Sequence, residues 1–501
     1  MRKIVIIFII LSLSYLFFID SSYGAIHNAG KYLSDNVISK KLSNGITVLL
    51  LNRGYSQTLA LNISFRVGSV DESYKTIGMA HMLEHMLFKG TDKIGTIDYN
   101  KEKRILNEIE QVGEKLNNIR LSNPKDRNIP NLENKLKILQ NKHRKFVQSS
   151  PYDRIYTAIG GVGFNASTSR DRTSYVIELP ASQLEVWAQV ESERLRNPVM
   201  REFYLEKGAV MEERLMRYES GGTSKLYEKF IATAFLAHPY RHPTIGWKSN
   251  IQFFSINQLR NFYKEYYRPS VMTITVVGRQ DIKRSLKILE SYFGKLQKRN
   301  EPERITIKEP EQHGERRFEI YFDANPYLII GWHKPTVPSR DDYVADVIEG
   351  ILTGGKASRL YKRIVLKKKI AISVDAWNGS PGARYDNLLI ITSAPKYPHT
   401  PKDVEKEILK EIDKLREDVT KEEIDKVINR IESSMIFRLD SNSGISYLLN
   451  YYQSVFEDWK YFIDYLDVMK TIDIKDIQTF INRYLTKENR TIGTLIKKNR
   501  K

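Results

Sequence analysis

The pattern of apolar positions in the first part of the chain predicts strands followed by a buried helix. Residues 58–67 carry apolar side chains at every second position, the period of a strand with one buried face. Residues 37–42 and 46–51 are two shorter apolar runs joined by the turn sequence Ser43-Asn44-Gly45. Residues 78–91 then change to helical spacing with apolar side chains on most sides. The pattern therefore predicts a sheet that leads into a core helix.

This helix carries the candidate chemistry of the chain. His81 and His85 lie four residues apart, so both imidazoles project from one helical face, and Glu84 lies at the edge of that face. Buried imidazoles and a buried carboxylate are costly unless they are paired or bind a metal. His-x-x-Glu-His is also the inverted zincin sequence, in which the glutamate activates water and the histidines hold zinc. A core helix with hydrogen-bonded histidines is the alternative, but the spacing favours a zinc site.

A third metal ligand is expected from a carboxylate. The chain contains no cysteine, which excludes thiolate ligands and disulfides. Residues 203–216 have helical spacing and include Glu206, Glu212 and Glu213. Glu206 and Glu213 lie two turns apart on one face, whereas Glu212 points about a hundred degrees away. The spacing alone leaves the choice among the three glutamates open.

Residues 98–150 differ in character from the segments on either side. Apolar residues recur at helical spacing in two stretches, which Ser122-Asn123-Pro124 and Pro130 separate. The pattern predicts a charged helical hairpin inserted between the metal-binding helix and the next strand. Such a hairpin is either a solvent-exposed spur or a docking or gating arm, and the spur is favoured. As a self-contained pair of helices, it is expected to be dispensable for folding.

A repeat relates the two halves of the chain. Residues 258–277 and 476–495 align at a constant offset without gaps, and Phe262 matches Phe480. In each copy a helical pattern leads into a strand pattern. The repeat predicts a duplicated domain with a boundary at the charged, proline-containing segment 298–311. Because the second copy lacks His-x-x-Glu-His, it is not expected to bind metal.

Composition and charge change this picture little. A chain of 501 residues predicts two or more domains. The 79 Lys and Arg residues exceed the 60 Asp and Glu residues, which gives a net charge of +19. The basic residues are interspersed with acidic ones, however, and no zinc-finger or basic-zipper sequence occurs. A solvated basic surface is therefore expected, and no nucleic-acid partner.

Residues 1–24 form a separate segment. Arg2 and Lys3 precede an apolar run from residue 4 to residue 19, and Ser22-Tyr23-Gly24 follows it. This is the layout of a secretory signal peptide that is removed after residue 24, so export to the periplasm or secretion is expected. The apolar run approaches the lower length limit of a membrane-spanning helix. Membrane association is therefore expected only if the segment stays uncleaved.

On these motifs the chain resembles the M16 peptidases, the family of insulinase, pitrilysin and mitochondrial processing peptidase. The resemblance implies an α+β fold class, with two tandem homologous M16-type α/β domains that form a clamshell. The implied organisation is a signal peptide at 1–24, an N-terminal catalytic domain at 25–297 and an inactive C-terminal domain at 312–501. The helical hairpin at about 98–150 is then an insertion in the first domain.

The resemblance also implies roles for individual residues. By this comparison Glu213 is the third zinc ligand, Glu206 supports the site, and Asn165 and Ala166 lie on a strand that pairs with the substrate backbone. The separation between His85 and Glu213 exceeds the usual family spacing by close to the length of the predicted hairpin. This excess agrees with an insertion there.

The implied function is that of a zinc-dependent endopeptidase acting on peptides or unfolded polypeptides. One zinc ion per chain is expected, held by His81, His85 and Glu213, with Glu84 activating a zinc-bound water. Substrate identity and cleavage preference do not follow from the sequence.

The second half departs from the family pattern. Active members carry an arginine and a tyrosine there, seven residues apart, that resemble stabilisers of the oxyanion and the substrate carbonyl. Val365 and Ile372 occupy these two positions, and Arg363 and Tyr361 lie nearby at a different helical phase. The expected partner is therefore a second M16 chain, in a homodimer or heterodimer, that supplies the Arg/Tyr pair. Two alternatives are completion of the site by Arg363 or Tyr361, and a weakly active or non-catalytic subunit of an M16 complex.

Overall fold

The computed structural model describes residues 30–498, so the predicted signal peptide lies outside the described residues. Residues 30–36 are helical. The strands that follow are β1 (Ile38–Lys41), β2 (Thr47–Asn52), β3 (Thr58–Phe65), β4 (Val162–Thr168), β5 (Thr173–Pro180), β6 (Met272–Gly278), β7 (Arg316–Phe322), β8 (Tyr327–Lys334), β9 (Ala371–Ser380), β10 (Asn387–Pro395) and β11 (Arg490–Lys497).

The α-helices are α1 (Met79–Met86), α2 (Tyr99–Ser122), α3 (Ile129–Arg144), α4 (Pro151–Ala158), α5 (Leu184–Arg196), α6 (Phe203–Arg214), α7 (Gly222–Ala234), α8 (Lys248–Ile251), α9 (Ile256–Tyr266), α10 (Ile282–Phe293), α11 (Arg340–Thr353), α12 (Pro401–Asp418), α13 (Lys421–Asp440), α14 (Asn442–Phe456), α15 (Tyr461–Lys470) and α16 (Ile474–Tyr484). Residues 215–219 and 361–367 are π-helical. Between residues 30 and 498, no helix combines the length and apolar character that crossing a bilayer requires.

The first half of the chain forms a six-stranded sheet in the order β1-β2-β6-β3-β5-β4. β2 and β6 are parallel, and the other neighbours are antiparallel. The three strands predicted from the apolar pattern of residues 37–67 are present as β1, β2 and β3. Helices α1, α5 and α9 pack on one face of this sheet through a core that includes Leu61, Met82 and Trp187. The predicted metal-binding helix is thus part of the core of the first half.

The second half repeats this arrangement in a five-stranded sheet of order β7-β11-β8-β10-β9. β7 and β11 are parallel, and the remaining neighbours are antiparallel. These five strands therefore correspond, in that order, to β2, β6, β3, β5 and β4. The repeated sequence forms α9 and β6 in the first half and α16 and β11 in the second. The duplication seen in the sequence is thus a duplication of topology, while the exact domain boundaries stay a prediction.

Each half covers one face of the other half's sheet with a helix. Leu448 of α14 shares an apolar cluster with Leu49 and Val277 of the first sheet. Phe230 of α7 shares another cluster with Ile329 of the second sheet. α7 is the third helix after β5, and α14 is the third helix after β10, so the two helices hold corresponding places. The halves therefore exchange equivalent helices across their junction.

The predicted insertion is a helical hairpin formed by α2 and α3. Its helices pack through a small apolar cluster of their own, made by Ile109, Val112, Leu116, Leu136 and Leu139. At its base the chain pairs with itself, because Thr96 bridges Val147 and the Ile97 amide donates to the Phe146 carbonyl at 2.9 Å. The hairpin is therefore a closed insertion, as its pattern predicted.

Buried polar contacts also attach the hairpin to the first half. Within the hairpin, Nε2 of His143 donates to Oε1 of Glu102 at 2.7 Å. From outside the hairpin, Nη2 of Arg201 donates to Oε2 of Glu102 at 2.9 Å. Glu102 and Arg201 are both 0% exposed. Asn117 of α2 donates to the backbone oxygen of Phe254 at 3.2 Å. Because a buried charge that loses its partner is strongly destabilising, these contacts argue against a hairpin that is dispensable for folding.

Candidate metal centre

The His-x-x-Glu-His sequence lies on α1, whose beginning is fixed by a glycine and a carboxylate. Gly78 precedes the helix with φ of 96°, and a Cβ there would lie 2.6 Å from the carbonyl oxygen of Ile245. Glu72 accepts hydrogen bonds from the amides of Gly78 at 2.7 Å and Ala80 at 2.8 Å. The first turn of a helix leaves such amides without intrahelical partners, and the two oxygens of Glu72 accept from them. Glu72 therefore determines where α1 begins.

Helices α1 and α6 bring the three predicted ligands together. His81, His85 and Glu213 each offer one ligand atom, and these atoms lie within 4.8 Å of one another. Nε2 of His81 is 3.6 Å from Oε1 of Glu213, and Nε2 of His85 is 3.3 Å from Oε2. Ligand atoms bound at about 2.0–2.1 Å to one tetrahedral zinc ion lie roughly 3.4 Å apart. The three side chains therefore fit such an ion.

Nε2 is the ring nitrogen of each histidine that faces Glu213, so it is the atom that each offers to a metal. Nδ1 of His85 donates to Oε1 of Glu206 at 2.8 Å, since an ionised carboxylate can only accept. Nζ of Lys89 lies 2.5 Å from Oε2 of Glu206 and holds this carboxylate from its other side. Nδ1 of His81 is buried and has no hydrogen-bond partner in the described chain. An imidazole whose other nitrogen is held by a carboxylate is a typical oriented metal ligand.

The electrostatics of the cluster favour a cation. Burial, together with the neighbouring His85, lowers the pKa of His81 to about 4. Burial also opposes charge on His85, but the hydrogen bonds from its ring to Glu206 and Glu213 outweigh that effect and raise its pKa to about 9. The hydrogen bond between Glu213 and His85 lowers the pKa of Glu213. Two ionised carboxylates that face one imidazole thus attract positive charge to this place.

Glu84 lies beside the three ligands and is 9% exposed. The hydroxyl of Thr168, at the end of β4, donates to its Oε2. Burial raises the pKa of Glu84, and the hydrogen bond from Thr168 acts in the opposite direction. A carboxylate with a raised pKa is a stronger base once it is ionised. Glu84 is therefore suited to accept a proton next to the cluster.

Asn165 and Ala166 lie on β4, the outermost strand of the first sheet. β4 pairs with β5 alone among the described strands, so the backbone groups on its other side have no strand partner. A cavity of about 470 Å³ is lined by these two residues together with Glu84 and His85. An extended peptide can add to such an edge through its backbone. The edge therefore offers a peptide a place next to the cluster.

The three candidate glutamates of α6 have different surroundings. Glu213 joins the histidines, Glu206 contacts His85, and Glu212 is exposed. The structure adds Arg217 to the site, with its Nε 2.9 Å from Oε1 of Glu213. The sequence-based prediction had missed this residue. It follows Glu213 by four residues, so helical spacing gave a usable signal.

Two other site residues had no local signal in the sequence. Thr168 contacts Glu84 from 84 positions away along the chain. Glu72 caps α1 from the loop before it, six and eight residues ahead of the amides it binds. Both contacts depend on the tertiary path of the chain, which the periodicity of helices and strands does not predict.

The residues at the expected Arg/Tyr positions carry apolar side chains in the second half. Val365 is half-buried against the core of the second half, and Ile372 is 62% exposed on β9. The guanidinium of Arg363 is ion-paired with Glu407 at 2.7 Å and Glu411 at 3.3 Å. Completion of the site by Arg363 would require both ion pairs to break.

Comparison with known proteins settles the family. The family described as insulinase (peptidase family M16) matches residues 47–120, and its inactive-domain counterpart, peptidase M16 inactive domain, matches residues 254–431. The chain belongs to the M16 peptidase family. The segment that matches the insulinase family, residues 47–120, contains His81, Glu84 and His85.

Individual M16 relatives cover nearly the whole chain. A zinc protease of Helicobacter pylori, PqqE, is 25% identical over 470 residues, which is 92% of this chain and 93% of that protein. The crystal structure of a protease from Helicobacter pylori superposes with a TM-score of 0.77 at 24% identity, covering 92% and 99% of the two chains. These matches confirm the predicted α+β fold class with two tandem domains.

A further M16 relative is named as a subunit of a peptidase. The mitochondrial-processing peptidase subunit beta of Lentinula edodes is 25% identical over 261 residues, 51% of this chain and 43% of that protein. The family thus includes both proteins named zinc proteases and chains named as subunits of a peptidase.

Proposed function

We propose that this M16 protein is a zinc-dependent endopeptidase that hydrolyses peptides or unfolded polypeptides. The observation that carries the proposal is the cluster of His81, His85 and Glu213 with the carboxylate of Glu84 beside it. The three ligands would hold one zinc ion per chain. When bound, the ion would polarise the substrate carbonyl and lower the pKa of a bound water towards ~7.

In the proposed reaction Glu84 transfers one proton. Glu84 accepts it from the water as the water oxygen attacks the carbonyl carbon, and then delivers it to the amine nitrogen as the C–N bond breaks. The hydroxyl of Thr168 keeps the Glu84 carboxylate oriented during both transfers. Glu206 holds His85 in the orientation that presents Nε2 to the ion.

The substrate is proposed to bind in extended form along β4, beside Asn165 and Ala166. Main-chain hydrogen bonds to an edge strand supply affinity without demanding a particular sequence. Most backbone groups of a folded domain are already hydrogen-bonded, whereas a peptide or an unfolded polypeptide has them free, so these are the proposed substrate class. Among the described strands, none pairs with β4 on the side that such a peptide would need.

Substitution of Glu84 tests the function directly. Glu84→Gln is expected to reduce peptide hydrolysis by about 10²–10⁴-fold, the usual contribution of a general base. Zinc content should stay at one ion per chain, because Glu84 is not a ligand. Glu212→Gln, on the exposed side of α6, is the matched control and should leave turnover and zinc unchanged. Unaltered turnover in Glu84→Gln would refute the proposal.

A second candidate function is that of a weakly active or non-catalytic subunit in a heteromeric M16 complex. The apolar side chains at Val365 and Ile372 favour it, because neither can donate a hydrogen bond. The intact Glu84 argues against it. A purely non-catalytic subunit would show no zinc-dependent hydrolysis alone, and both its assembly and the activity of the complex would survive Glu84→Gln.

We further propose that the protein is exported, on the basis of residues 1–24. The mature chain is then expected to begin at Ala25 in the periplasm or the medium. Amino-terminal sequencing of the exported protein tests this. A chain that still begins at Met1 would instead favour a membrane anchor.

A further inference from the structure

Two adjacent loops of the first half hold the catalytic groups in position. The loop 68–72 leads into α1 and carries Glu72, which binds the first amides of that helix. The loop 169–172 follows Thr168, which binds Glu84. Backbone hydrogen bonds of 3.1 and 2.9 Å join the two loops. A Cβ at Gly68 would lie 2.3 Å from a carbonyl oxygen of the second loop, so glycine is needed for this approach.

Arg384 of the second half binds both loops at once. It lies between β9 and β10, and its side chain is 3% exposed. Nη1 and Nη2 donate to the two carboxylate oxygens of Asp71 at 3.0 and 2.8 Å. Nη2 also donates to the backbone oxygen of Asp171 at 2.6 Å. The planar fork of an arginine suits this geometry, whereas a lysine could serve only one loop well.

The carboxylate of Asp171 is also held from both halves. Its Oδ2 accepts from the backbone amide of Ala383 at 2.6 Å, and its Oδ1 accepts from the hydroxyl of Tyr240 at 2.6 Å. The oxygen of Tyr240 in turn accepts from the amide of Arg384 at 3.1 Å. Both oxygens of the Asp171 carboxylate are therefore tied to fixed partners, which limits the freedom of the loop 169–172.

The topology explains why these groups meet. The β9–β10 connection of the second half corresponds to the β4–β5 connection of the first half, which carries Asp171. The two corresponding loops touch at the junction of the halves. The loop of the second half that contacts the catalytic loops is therefore the structural counterpart of one of them, the loop 169–172.

We propose that Arg384 is a positioning residue for the reaction, acting on the start of α1 through Asp71 and on the Thr168–Glu84 hydrogen bond through Asp171. The second half would thus contribute to catalysis although the predicted zinc ligands and Glu84 all belong to the first half. The kinetic part of this inference rests on the proposed endopeptidase function.

Substitution of Arg384 is expected to change kcat more than KM. Arg384→Met should lower kcat by about 10–100-fold, the usual effect of removing a partner that orients an active group. Arg384→Lys should recover part of kcat. KM should stay within about twofold, because the edge of β4 is untouched. Arg53→Met is the control, since Nη1 of Arg53 also joins the halves, at 3.0 Å from the Asp440 carbonyl, away from these loops.

A double substitution tests the route through Thr168. If Arg384 acts through the Thr168–Glu84 hydrogen bond, Arg384→Met should lower kcat much less in a Thr168→Val background than in the wild type. Equal losses in both backgrounds, with wild-type exchange in the loop 169–172, would show that the arginine acts elsewhere and overturn the inference.

Hydrogen exchange tests the same inference without any activity. In Arg384→Met the amides of Gly78, Ala80 and residues 169–172 should exchange at least about tenfold faster, whereas Arg53→Met should not change them. If the wild-type chain cleaved no peptide, the proposed function would fail, and this measurement would still decide the positioning role.

A milder variant protects the test against misfolding. Tyr240→Phe removes one hydroxyl from Asp171 and keeps the ring, so it should fold even if Arg384→Met does not. It is expected to change kcat and exchange in the same direction by a smaller factor. Wild-type kcat and wild-type exchange in this variant, and in Arg384→Lys, would overturn the inference.

Discussion

At the scale of single residues, two glutamates on one face of α6 have different expected effects on the metal. Glu213→Gln should abolish stoichiometric zinc binding, because it removes a charged ligand. Glu206→Gln should weaken zinc binding by about 10–100-fold, because Glu206 only holds His85. Zinc per chain, measured after dialysis against a competing chelator, distinguishes them. Full zinc in Glu213→Gln together with loss in Glu206→Gln would show that the assignment is wrong by two turns.

The sequence predicted some of these residues and not others, for a physical reason. His81, Glu84 and His85 share one helical turn, so their periodicity was enough. The choice of Glu213 over Glu206 needed the family resemblance, since both lie on one face of the helix. Arg384 could not be predicted, because it meets Asp71 from 313 positions away.

At the scale of elements, the hairpin of α2 and α3 is now expected to matter for stability. Replacing residues 97–146 by a short Gly/Ser linker removes Glu102 and leaves Arg201 buried without its carboxylate. Loss of one partner of a buried pair costs about 3–5 kcal/mol, so the unfolding midpoint in urea should fall clearly.

Two variants make that deletion interpretable. Arg201→Met in the deleted chain should recover part of the stability, because it removes the unpaired charge. Arg120→Ala, which breaks the exposed pair with Glu133 in the hairpin, should cost less than about 1 kcal/mol. A deleted chain with an unchanged midpoint would restore the interpretation of the hairpin as a spur.

The existence of the hairpin was predictable, and its attachment was not. The helical spacing of its apolar residues, the proline-containing break and the extra length before Glu213 all indicated a pair of helices. Glu102 and Arg201, however, are 99 positions apart. A charged residue in an amphipathic helix is usually solvated, so nothing local marks Glu102 as buried.

At the scale of the whole molecule, full activity is expected to require a second, related chain. A missing oxyanion donor typically costs about 10²–10³-fold in kcat, so the purified chain should show weak but measurable turnover. Addition of an M16 chain that lacks His-x-x-Glu-His and carries the Arg/Tyr pair should raise turnover towards the level of a complete site. Peptidase assays of each chain and of the mixture measure this.

The control for that assay is the Glu84→Gln form of this chain. It should assemble with the partner and remain inactive, which would place the chemistry in this chain. Turnover of the isolated chain equal to that of the mixture would sink the expectation, and a search for a conformer with Arg363 released from Glu407 would then be justified.

The exchange of α7 and α14 between the halves has a consequence for how the protein is made. β6 ends at Gly278, whereas the helix that covers the outer face of its sheet begins only at Asn442. At roughly 5–20 residues per second, a ribosome needs about 10–30 s to synthesise the stretch between them. During this interval the apolar surface around Leu49 and Val277 lacks α14, although Leu33 and Val37 of the first half belong to the same cluster. The first half therefore completes its packing only after α14 of the second half has been synthesised. Until then this apolar surface is available for contacts with other proteins, including chaperones.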